Sequence, residues 1–390
     1  MRIVLLSDCY LPRLGGIEVQ VHDLATRLIG RGHEVVVLTA TPGPHGERGG
    51  FVDEVDGVAV HRLALKLPFE LPVNPLAPRL LRQRLADGGF DVAHVHMGVV
   101  SPFAVDCARV ATRLGLPTAI TWHCMLGSLE PVFRAARYVR TWASQGVAMS
   151  AVSAVAAAPL QRIVGSDGLV NVLSNGIDVD RWAGQADQAP AREAGAGIRV
   201  VSAMRLAARK RPMPLLRLMV RVRAMVPAET AISLEILGDG PDRARLERFI
   251  EAHDMGDWVR LPGRVTRDEV RETYTAADIY VAPAPLESFG IAALEARTLG
   301  LPVVGRWGSG LEEFVTDGLN GYLAADDEAM AGSLTRLVMD DELRGSMAAY
   351  SRSTAPEQSW GRILDVAEAE YHRAISLAGS AREAGRRAGR

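Results

Sequence analysis

Short apolar runs alternate with amphipathic stretches from the beginning of the chain. Buried strands are predicted for "RIVLLS" at residues 2–7 and "HEVVVLTA" at residues 33–40, with a helix for "IEVQVHDLATRLIGRG" between them. The alternation continues through "DVAHVH", "PTAITWH" and "GVAMSAVS". Strands separated by helical stretches predict an α/β fold, in which helices cover both faces of a parallel sheet.

The pattern is interrupted once and then restarts. Residues 183–197, "AGQADQAPAREAGAG", are polar and rich in Ala, Gly and Pro, which is typical of a linker. Beyond them, strands are predicted for "IRVVSAM", "ISLEILG", "DIYVAPAP" and "LPVVGR". We therefore predict two Rossmann-like domains, residues 1–182 and 198–356, with the carboxyl ends of their strands on either side of a cleft. A closing amphipathic helix is predicted for about 357–378, and a disordered basic tail for 379–390.

Composition and charge narrow the class of protein. The 390 residues are 48% hydrophobic and 23% charged, as in an ordinary globular enzyme, and the formal net charge of -2 argues against nucleic acid as a partner. The three cysteines form no CxxC pair, which argues against a disulfide scaffold or a zinc ribbon. No segment reaches the roughly 18 apolar residues of a membrane span. We predict a cytoplasmic protein and leave peripheral contact with a membrane open.

A glycine pair, Gly15 and Gly16, ends the first loop directly before a helix, where unpaired N–H groups favour an anion. A dinucleotide site would need a GxGxxG motif and an acidic residue after the second strand, and the chain has neither. This argues against a dehydrogenase. The pair either lets the backbone approach a phosphate or sugar closely, or forms a plain tight turn.

Two cations follow the first strand of the second domain. Arg205 and Lys210 come after "IRVVSAM", at the carboxyl end where a ligand would lie. The fork of an arginine and the point charge of a lysine could together neutralise a diphosphate. The alternative is a run of solvated cations, since Arg209 and Arg211 lie in the same stretch.

Two carboxylates, Glu287 and Glu295, stand eight positions apart in "PLESFGIAALEA". Ser288–Gly290 is predicted to begin a helix, so that N–H groups near Gly290 and Ile291 face an anion. A nucleotide sugar needs such an arrangement: one carboxylate for sugar hydroxyls, amides and cations for the diphosphate, and another carboxylate for the ribose. The alternative for Glu287 is a helix-start charge, worth a few tenths of a kcal/mol.

These motifs resemble the retaining glycosyltransferases of family 4 over nearly the whole chain. The matching pieces are "LPRLGGIE", "GRGHEVVVLT", "DVAHVH", "SNGID", "RLAARK", "LGDGP", "PLESFGIAALEA" and "GLEEFVTDGLNGYL". The resemblance implies the GT-B architecture, two Rossmann-like domains facing across a cleft with a C-terminal helix that crosses back to the first domain. It also implies transfer of a glycosyl unit from a nucleotide-diphosphate sugar to a hydroxyl, with the anomeric configuration retained.

The resemblance also implies roles for individual residues. Arg205 and Lys210 match a diphosphate clamp, Glu287 a sugar ligand and Glu295 a ribose ligand. The predicted catalytic residues are His123, Glu287, Arg205 and Lys210. The predicted donor-binding residues are Gly16, Arg205, Lys210, Gly238, Glu287, Ser288, Phe289, Gly290, Ile291 and Glu295. The predicted acceptor-binding residues are Gly15, Gly16, Glu18 and His123.

The chain departs from the family pattern in two places. Arg211 stands where the family often has glycine, and in "GSGLEE" Ser309 and Glu312 replace a glycine and a common proline. These changes leave the sugar preference open. The pair Asp178 and Asp180 has a spacing that could hold Mg²⁺, but it continues "SNGID", a motif on the hinge side of the family. We therefore predict no metal and no cofactor.

The donor and acceptor are less constrained. The Ala- and Arg-rich composition indicates a high-GC genome and favours GDP-mannose, as in the phosphatidylinositol mannosyltransferases, which carry loops comparable to residues 65–85. That segment, with Arg79, Arg82 and Arg84, either lies on an anionic membrane near a lipid acceptor on the cytoplasmic face, or is an ordinary surface helix. The first-domain motifs also resemble phosphatidylinositol-glycan N-acetylglucosaminyltransferases.

Three alternatives stay open. The first is transfer from UDP-glucose or UDP-N-acetylglucosamine to a soluble acceptor such as an aminocyclitol or inositol phosphate. The second is a sugar-nucleotide epimerase of the same architecture. The third is a binding module without turnover.

Overall fold

The computed structural model describes residues 1–13, 15–47, 49–65, 77–183 and 197–388. The chain divides into two compact units, unit 1 with Met1–Gly176 and Trp360–Arg390, and unit 2 with Ile177–Ser359. The prediction of two α/β domains with parallel sheets is therefore confirmed. Residues 184–196 of the predicted linker lie outside the described residues.

The first unit ends earlier than the predicted residue 182. The Ile177 N–H donates a 2.8 Å hydrogen bond to the Gln358 carbonyl oxygen, and both residues belong to unit 2. Trp182 is buried with its ring 6.2 Å from that of Tyr274. Because these contacts all lie within unit 2, the segment after residue 176 packs with the second unit.

One sheet forms the centre of unit 1. Its strands, within the described residues, are β1 (Arg2–Ser7), β2 (Glu34–Thr39), β3 (Phe51–Val55), β4 (Val58–Arg62), β5 (Val92–Met97), β6 (Thr118–Trp122), β7 (Ala148–Ala151) and β8 (Val170–Val172). They lie in the order β3-β4-β2-β1-β5-β6-β7-β8, and every pairing is parallel except that of β3 with β4. The helices that precede unit 2 are α1 (Gly16–Gly30), α2 (Ala77–Asp87), α3 (Pro102–Arg113), α4 (Glu130–Ala136), α5 (Tyr138–Ser144) and α6 (Ala154–Val164).

Both faces of this sheet are buried, as the continuous apolar strands predict. Alternate residues of β1 divide between the faces: Leu6 packs in the cluster that contains α3, and Leu5 in the cluster that contains α1. The sheet therefore leaves only its strand ends and loops for chemistry.

Unit 2 has a smaller sheet. Its described strands are β9 (Ile198–Ala203), β10 (Ile232–Leu237), β11 (Val259–Gly263), β12 (Ile279–Val281), β13 (Val303–Arg306) and β14 (Gly321–Ala324). All pairings are parallel, in the order β11-β10-β9-β12-β13-β14. The helices are α7 (Val179–Ala183), α8 (Pro212–Met225), α9 (Arg243–Ala252), α10 (Arg267–Thr275), α11 (Ile291–Thr298), α12 (Asp327–Met339) and α13 (Asp341–Ser353).

The last helix, α14 (Trp360–Ala388), packs in unit 1, which confirms the predicted return of the chain to the first domain. Its residues Ala367, Tyr371 and Ala374 are fully buried in the cluster that contains α1. The prediction of disorder from residue 379 is wrong as far as Ala388, because Ala, Arg and Glu are strong helix formers. The Arg382 guanidinium also donates to a main-chain carbonyl oxygen in unit 1.

The proposed membrane segment is only partly described. Residues 66–76 of the stretch 65–85 lie outside the described residues, while in α2 Leu81 and Leu85 are buried and Arg79 and Arg82 are exposed. Among the helices of the described ranges, none is long and apolar enough to cross a bilayer.

Candidate active site

The carboxyl ends of β9 and β12 lie side by side, where the strand order of unit 2 reverses. From β9 the sheet grows through β10 and β11 on one side, and through β12, β13 and β14 on the other. In open α/β sheets, ligands bind at such a switch point. Arg205 follows β9 and Glu287 follows β12. The structure thus brings two predicted donor-binding segments to one edge of this sheet.

Lys210 and Glu287 form an ion pair at this edge. The Lys210 Nζ lies 2.5 Å from the Glu287 Oε2, and the side chains are 26% and 16% exposed. The Gly310 N–H donates a 2.7 Å hydrogen bond to the Glu287 carbonyl oxygen. Glu287 is therefore held both through its carboxylate and through its main chain.

Arg205 presents its charge differently. It is exposed just beyond the end of β9. No ion pair or side-chain hydrogen bond of its guanidinium occurs within the part of the chain that the structure describes. The two predicted clamp residues therefore start from different states, with Lys210 neutralised by a carboxylate and Arg205 facing solvent.

The residue after Lys210 explains one departure from the family pattern. Arg211 adopts φ 62° and ψ 41°, a left-handed conformation that glycine reaches most easily. Its Nη2 donates to Asp327 Oδ2 at 2.6 Å, and the Nη1 of Arg306 donates to Asp327 Oδ1 at 3.0 Å. This cluster was not predicted, although an arginine at the end of the apolar strand β13 was a visible signal.

The helix after Glu287 begins later than predicted. Gly290, with φ 91°, is the N-cap of α11, so the helix starts at Ile291 rather than at Ser288. Ser288 and Phe289 belong to the preceding loop. The Phe289 side chain is 1% exposed and packs 5.6 Å from the Phe314 ring, centroid to centroid. Phe289 therefore holds the loop by packing, and its contact with a donor stays a prediction.

Glu295 lies in α11, partly buried, in the neighbourhood of Tyr280. Burial raises the pKa of the Tyr280 phenol well above its usual range, and the negative charges of Glu287 and Glu295 add to this rise. The Tyr280 hydroxyl donates to the Ala203 carbonyl oxygen at 3.3 Å, at the end of β9. Both predicted carboxylates therefore act on one tyrosine of the switch point.

Two glycines in the loops at this edge of the sheet are required by packing. A Cβ on Gly238, whose φ is 125°, would overlap the Met204 carbonyl oxygen. A Cβ on Gly310 would overlap the main chain of Ser288. Buried Ser309, in place of a family glycine, donates to the Arg306 carbonyl oxygen at 2.6 Å. These residues shape the edge of the sheet, and the donor contact of Gly238 stays a prediction.

Replacing Gly310 by alanine is expected to lower the free energy of unfolding by about 1–3 kcal/mol, as overpacking does in well-packed sites. The new methyl group must push the Ser288 main chain away, which also lengthens the Gly310 hydrogen bond to Glu287. Urea unfolding measures the change. The matched control is Gly332→Ala inside α12, where nothing lies within contact distance and alanine should stabilise the helix by up to about 1 kcal/mol. Equal stability of the two variants would contradict the prediction.

The glycine pair of unit 1 lies at the carboxyl end of β1. Helix α1 begins at Gly16, with Gly15 as its extended N-cap. The buried Glu18 side chain lies in the first turn, with Oε1 3.5 Å from the Nε of Arg13, and a Cβ on Gly15 would overlap its carboxylate. The helix dipole favours a carboxylate at this position. Contacts of Gly15, Gly16 and Glu18 with an acceptor remain predictions.

The loop before these glycines is anchored by Tyr10, which the sequence analysis did not identify. The Tyr10 N–H donates to Thr41 Oγ1 at 2.8 Å. Its buried hydroxyl lies 2.7 Å from His22 Nδ1, and His22 Nε2 lies 3.0 Å from Asp56 Oδ2. The loop conformation is thus fixed by side chains from three separate segments.

His123 follows β6 directly, as predicted, and is a partly buried neighbour of two buried histidines, His94 and His96. Its N–H donates to the Met97 carbonyl oxygen at 2.8 Å, and its Nε2 lies 3.0 Å from His96 Nδ1. The His94 ring packs against His96, with centroids 4.1 Å apart. His94 in turn hydrogen-bonds the Tyr371 hydroxyl of α14 at 3.0 Å.

The three histidines of this group are uncharged at neutral pH. Burial lowers the pKa of His94 to about 3 and that of His123 to about 4. Burial, together with His94 and His123, lowers the pKa of His96 well below its usual range. His94 and His96 were missed by the sequence analysis, although two histidines with the period of one strand face stand in "DVAHVH".

Asp8 is a further titratable group that the sequence analysis passed over. It follows β1, and its Oδ1 accepts a 3.1 Å hydrogen bond from the Phe103 N–H at the start of α3. Burial raises the pKa of Asp8 to about 6, against the opposing effect of its hydrogen bonds. Its position directly after the first predicted strand was the sequence signal for this acidic residue.

The predicted site residues divide between the units. Gly15, Gly16, Glu18 and His123 belong to unit 1, and the other predicted residues to unit 2. The alternative metal ligand Asp178 accepts a 3.1 Å hydrogen bond from the Arg181 N–H through Oδ1, which caps α7. Among the described residues, no group of three or more His, Cys, Asp or Glu side chains could hold a metal ion.

Family models match both units. The model described as "Glycosyltransferase Family 4" matches residues 14–181, and "Glycosyl transferases group 1" matches residues 186–354. The crystal structure of Anabaena Alr3699/HepE in complex with UDP is similar to this chain with a TM-score of 0.71 and 18% identity, over 95% of this chain and 99% of that one. This likeness concerns the fold.

Two relatives extend the comparison in sequence. The phosphatidylinositol N-acetylglucosaminyltransferase gpi3 subunit of Schizosaccharomyces pombe is 26% identical over 86% of this chain and 72% of that protein. The D-inositol 3-phosphate glycosyltransferase of Xylanimonas cellulosilytica is 30% identical over 90% of this chain and 91% of that protein. The chain therefore belongs to glycosyltransferase family 4, of the group 1 glycosyl transferases, and has the GT-B fold.

Proposed function

We propose that this glycosyltransferase transfers a hexosyl unit, with retention of configuration, from a nucleotide-diphosphate sugar to a hydroxyl of an inositol-bearing acceptor. One observation carries the proposal. Two cations, Arg205 and Lys210, and the carboxylate of Glu287 belong to the loops that leave β9 and β12 at the switch point of unit 2. The cations suit a diphosphate, and the carboxylate suits sugar hydroxyls.

The charge that develops on the leaving diphosphate is the main target of catalysis. Arg205 and Lys210 stabilise it as the bond from the anomeric carbon to phosphate breaks, and the N-terminus of α11 adds its dipole. The acceptor oxygen bonds to the same face of the sugar, and a leaving phosphate oxygen takes the acceptor proton. In this proposal Arg205 and Lys210 stabilise the leaving diphosphate, and no metal ion is needed.

His123 has a different task in this proposal. Because burial lowers its pKa to about 4, the imidazole is neutral at pH 7 and acts by hydrogen bonding to the sugar rather than as a cation. The His96 Nδ1 lies 3.0 Å from the His123 Nε2, so this contact orients the His123 ring.

The donor is the finer part of the proposal. Composition favours GDP-mannose, whereas the relatives favour the alternative, a UDP-sugar. The S. pombe protein is named for N-acetylglucosamine, and Anabaena HepE was crystallised with UDP. We therefore rank UDP-N-acetylglucosamine beside GDP-mannose as the first donors to test.

The proposal for the acceptor rests on the names of two relatives, both of which refer to inositol. Both relatives described above are named for inositol, one as phosphatidylinositol and the other as D-inositol 3-phosphate. Exposed Arg79 and Arg82 on α2 favour peripheral contact with an anionic membrane, which a lipid acceptor would require.

Ligand-induced stabilisation followed by a transfer assay tests the proposal. GDP, UDP and ADP are compared with and without chelator, and a nucleotide at a hundred times its dissociation constant should stabilise the protein by about 2.7 kcal/mol. Each donor whose nucleotide binds is then incubated with inositol phosphate or with phosphatidylinositol vesicles. A glycosylated inositol with retained configuration is the expected product. An isomerised sugar nucleotide would instead indicate an epimerase, and nucleotide binding without turnover a binding module.

A further inference from the structure

The ion pair of Lys210 with Glu287 joins two residues to which the proposed function gives separate ligands. Lys210 is assigned to the diphosphate and Glu287 to the sugar hydroxyls, yet their charged atoms lie 2.5 Å apart. They are 77 positions apart in the sequence, one after β9 and one after β12. In this conformation the ammonium group that should meet the phosphates already has an anionic partner.

We propose that Glu287 is the resident counter-ion of Lys210, and that the carboxylate and a nucleoside diphosphate compete for the same ammonium group. The inference rests on the proposed function and adds a mechanism of donor selection and product release to it. The diphosphate replaces the Glu287 carboxylate at Lys210, and the released carboxylate then becomes available to the sugar.

The competition has different consequences for donor and product. A carboxylate that loses its partner in a partly shielded site is destabilised unless new hydrogen bonds satisfy it. The hydroxyls of the bound hexosyl group donate such hydrogen bonds to Glu287, whereas a nucleoside diphosphate alone carries only its ribose, which the proposed function assigns to Glu295. The site therefore binds the complete donor more tightly than the nucleotide product. After transfer, Glu287 re-forms its ion pair with Lys210, and this weakens binding of the product.

Arg205 does not take part in this exchange. Within the described residues its guanidinium has no ion-pair partner, so the diphosphate meets it without displacing a carboxylate. The clamp thus combines one permanently available cation with one that must be released. This difference makes the effect of Glu287 on nucleotide binding measurable through Lys210 alone.

Calorimetric titration with UDP and with GDP tests the proposal. The Glu287→Gln variant keeps the side-chain shape and removes the competing charge, so it should bind the preferred nucleoside diphosphate at least about fivefold more tightly than the wild type. Glu229→Gln is the matched control, because this exposed glutamate precedes β10, at the opposite end of the strands from Glu287, and the charge change is the same. Its affinity should stay within about twofold of the wild type.

A double-mutant cycle with Lys210→Met identifies the partner through which Glu287 acts. Loss of the ammonium should weaken nucleotide binding more in the Glu287→Gln background than in the wild type, because only there is Lys210 released from its counter-ion. Additive effects, or weaker binding by Glu287→Gln, would overturn the inference while leaving the proposed function intact. If neither nucleotide binds to the wild type, the proposed function fails and the inference fails with it.

Discussion

Lowering the pH from 6.5 to 5 is expected to remove about 2–3 kcal/mol from the free energy of unfolding, mainly through two buried histidines. His94 and His96 have pKa values below their usual range in the folded protein, because burial disfavours their charged forms. Between the folded pKa and the unfolded value of about 6.5, only the unfolded chain binds these protons. The stabilisation is therefore complete above pH 6.5 and is lost as the pH falls.

The size of this effect follows from two opposing contributions. A histidine that stays neutral in the folded state costs about 1.7 kcal/mol of stability between pH 6.5 and 5, so His94 and His96 together cost about 3 kcal/mol over this interval. Asp8 acts in the opposite direction, because its pKa of about 6 lets the folded state take up a proton first, and it returns at most about 1.4 kcal/mol between pH 6 and 5. His123 is only partly buried, so solvent reduces its contribution and it adds less to the loss than either of these two. The loss of stability from the histidines therefore exceeds the gain from Asp8.

Urea unfolding at several pH values between 5 and 7 measures the slope. His94→Gln should lower the slope by about one proton, because glutamine cannot titrate but can still hydrogen-bond the neighbouring hydroxyls. His372→Gln is the matched control, since this residue follows Tyr371 in α14 but is exposed. A free energy of unfolding that stays constant over this range would contradict the assignment of neutral, buried imidazoles.

Much of the fold could be predicted because its signal is local. The apolar runs that became β1 and β9 are short and bounded by polar loops, and the motif residues next to them therefore lie at strand ends. This placed Arg205 and His123 correctly after their strands. Local reasoning failed at residues 379–388, where a basic, glycine-containing composition suggested disorder. Helix propensity prevails there, and Arg382 contacts the loop between α3 and β6.

Contacts between distant segments could not be predicted in the same way. The sequence placed Lys210 and Glu287 in one site by resemblance, but their direct contact depends on side-chain packing across two loops. The carboxylate shared by Arg211 and Arg306 lies in α12, and no spacing rule connects these positions. Likewise, alternation in "DVAHVH" puts two histidines on one strand face, but it does not say that α14 covers that face with a tyrosine.

Replacing Arg205 by alanine is expected to lower kcat/KM for the nucleotide-sugar donor by about 10²–10³-fold, the usual loss when one preorganised group that stabilises developing charge is removed. The effect should fall on kcat as well as on KM, because the charge on the diphosphate is largest as the sugar departs. Steady-state release of nucleotide in the transfer assay measures both parameters.

The matched control is Arg209→Ala, which removes the same charge from an exposed position four residues later in the same loop. If Arg205 acts through its position at the carboxyl end of β9, kcat/KM of the control should fall by less than about threefold. Solvent screens the charge of an exposed cation, so its removal has only a small effect. Equal losses in the two variants would mean that the loop acts only through its total charge. An unchanged kcat/KM in Arg205→Ala would remove this arginine from the proposed mechanism. Because Lys210 begins paired with Glu287 whereas Arg205 does not, the loss in Arg205→Ala should exceed that in Lys210→Met.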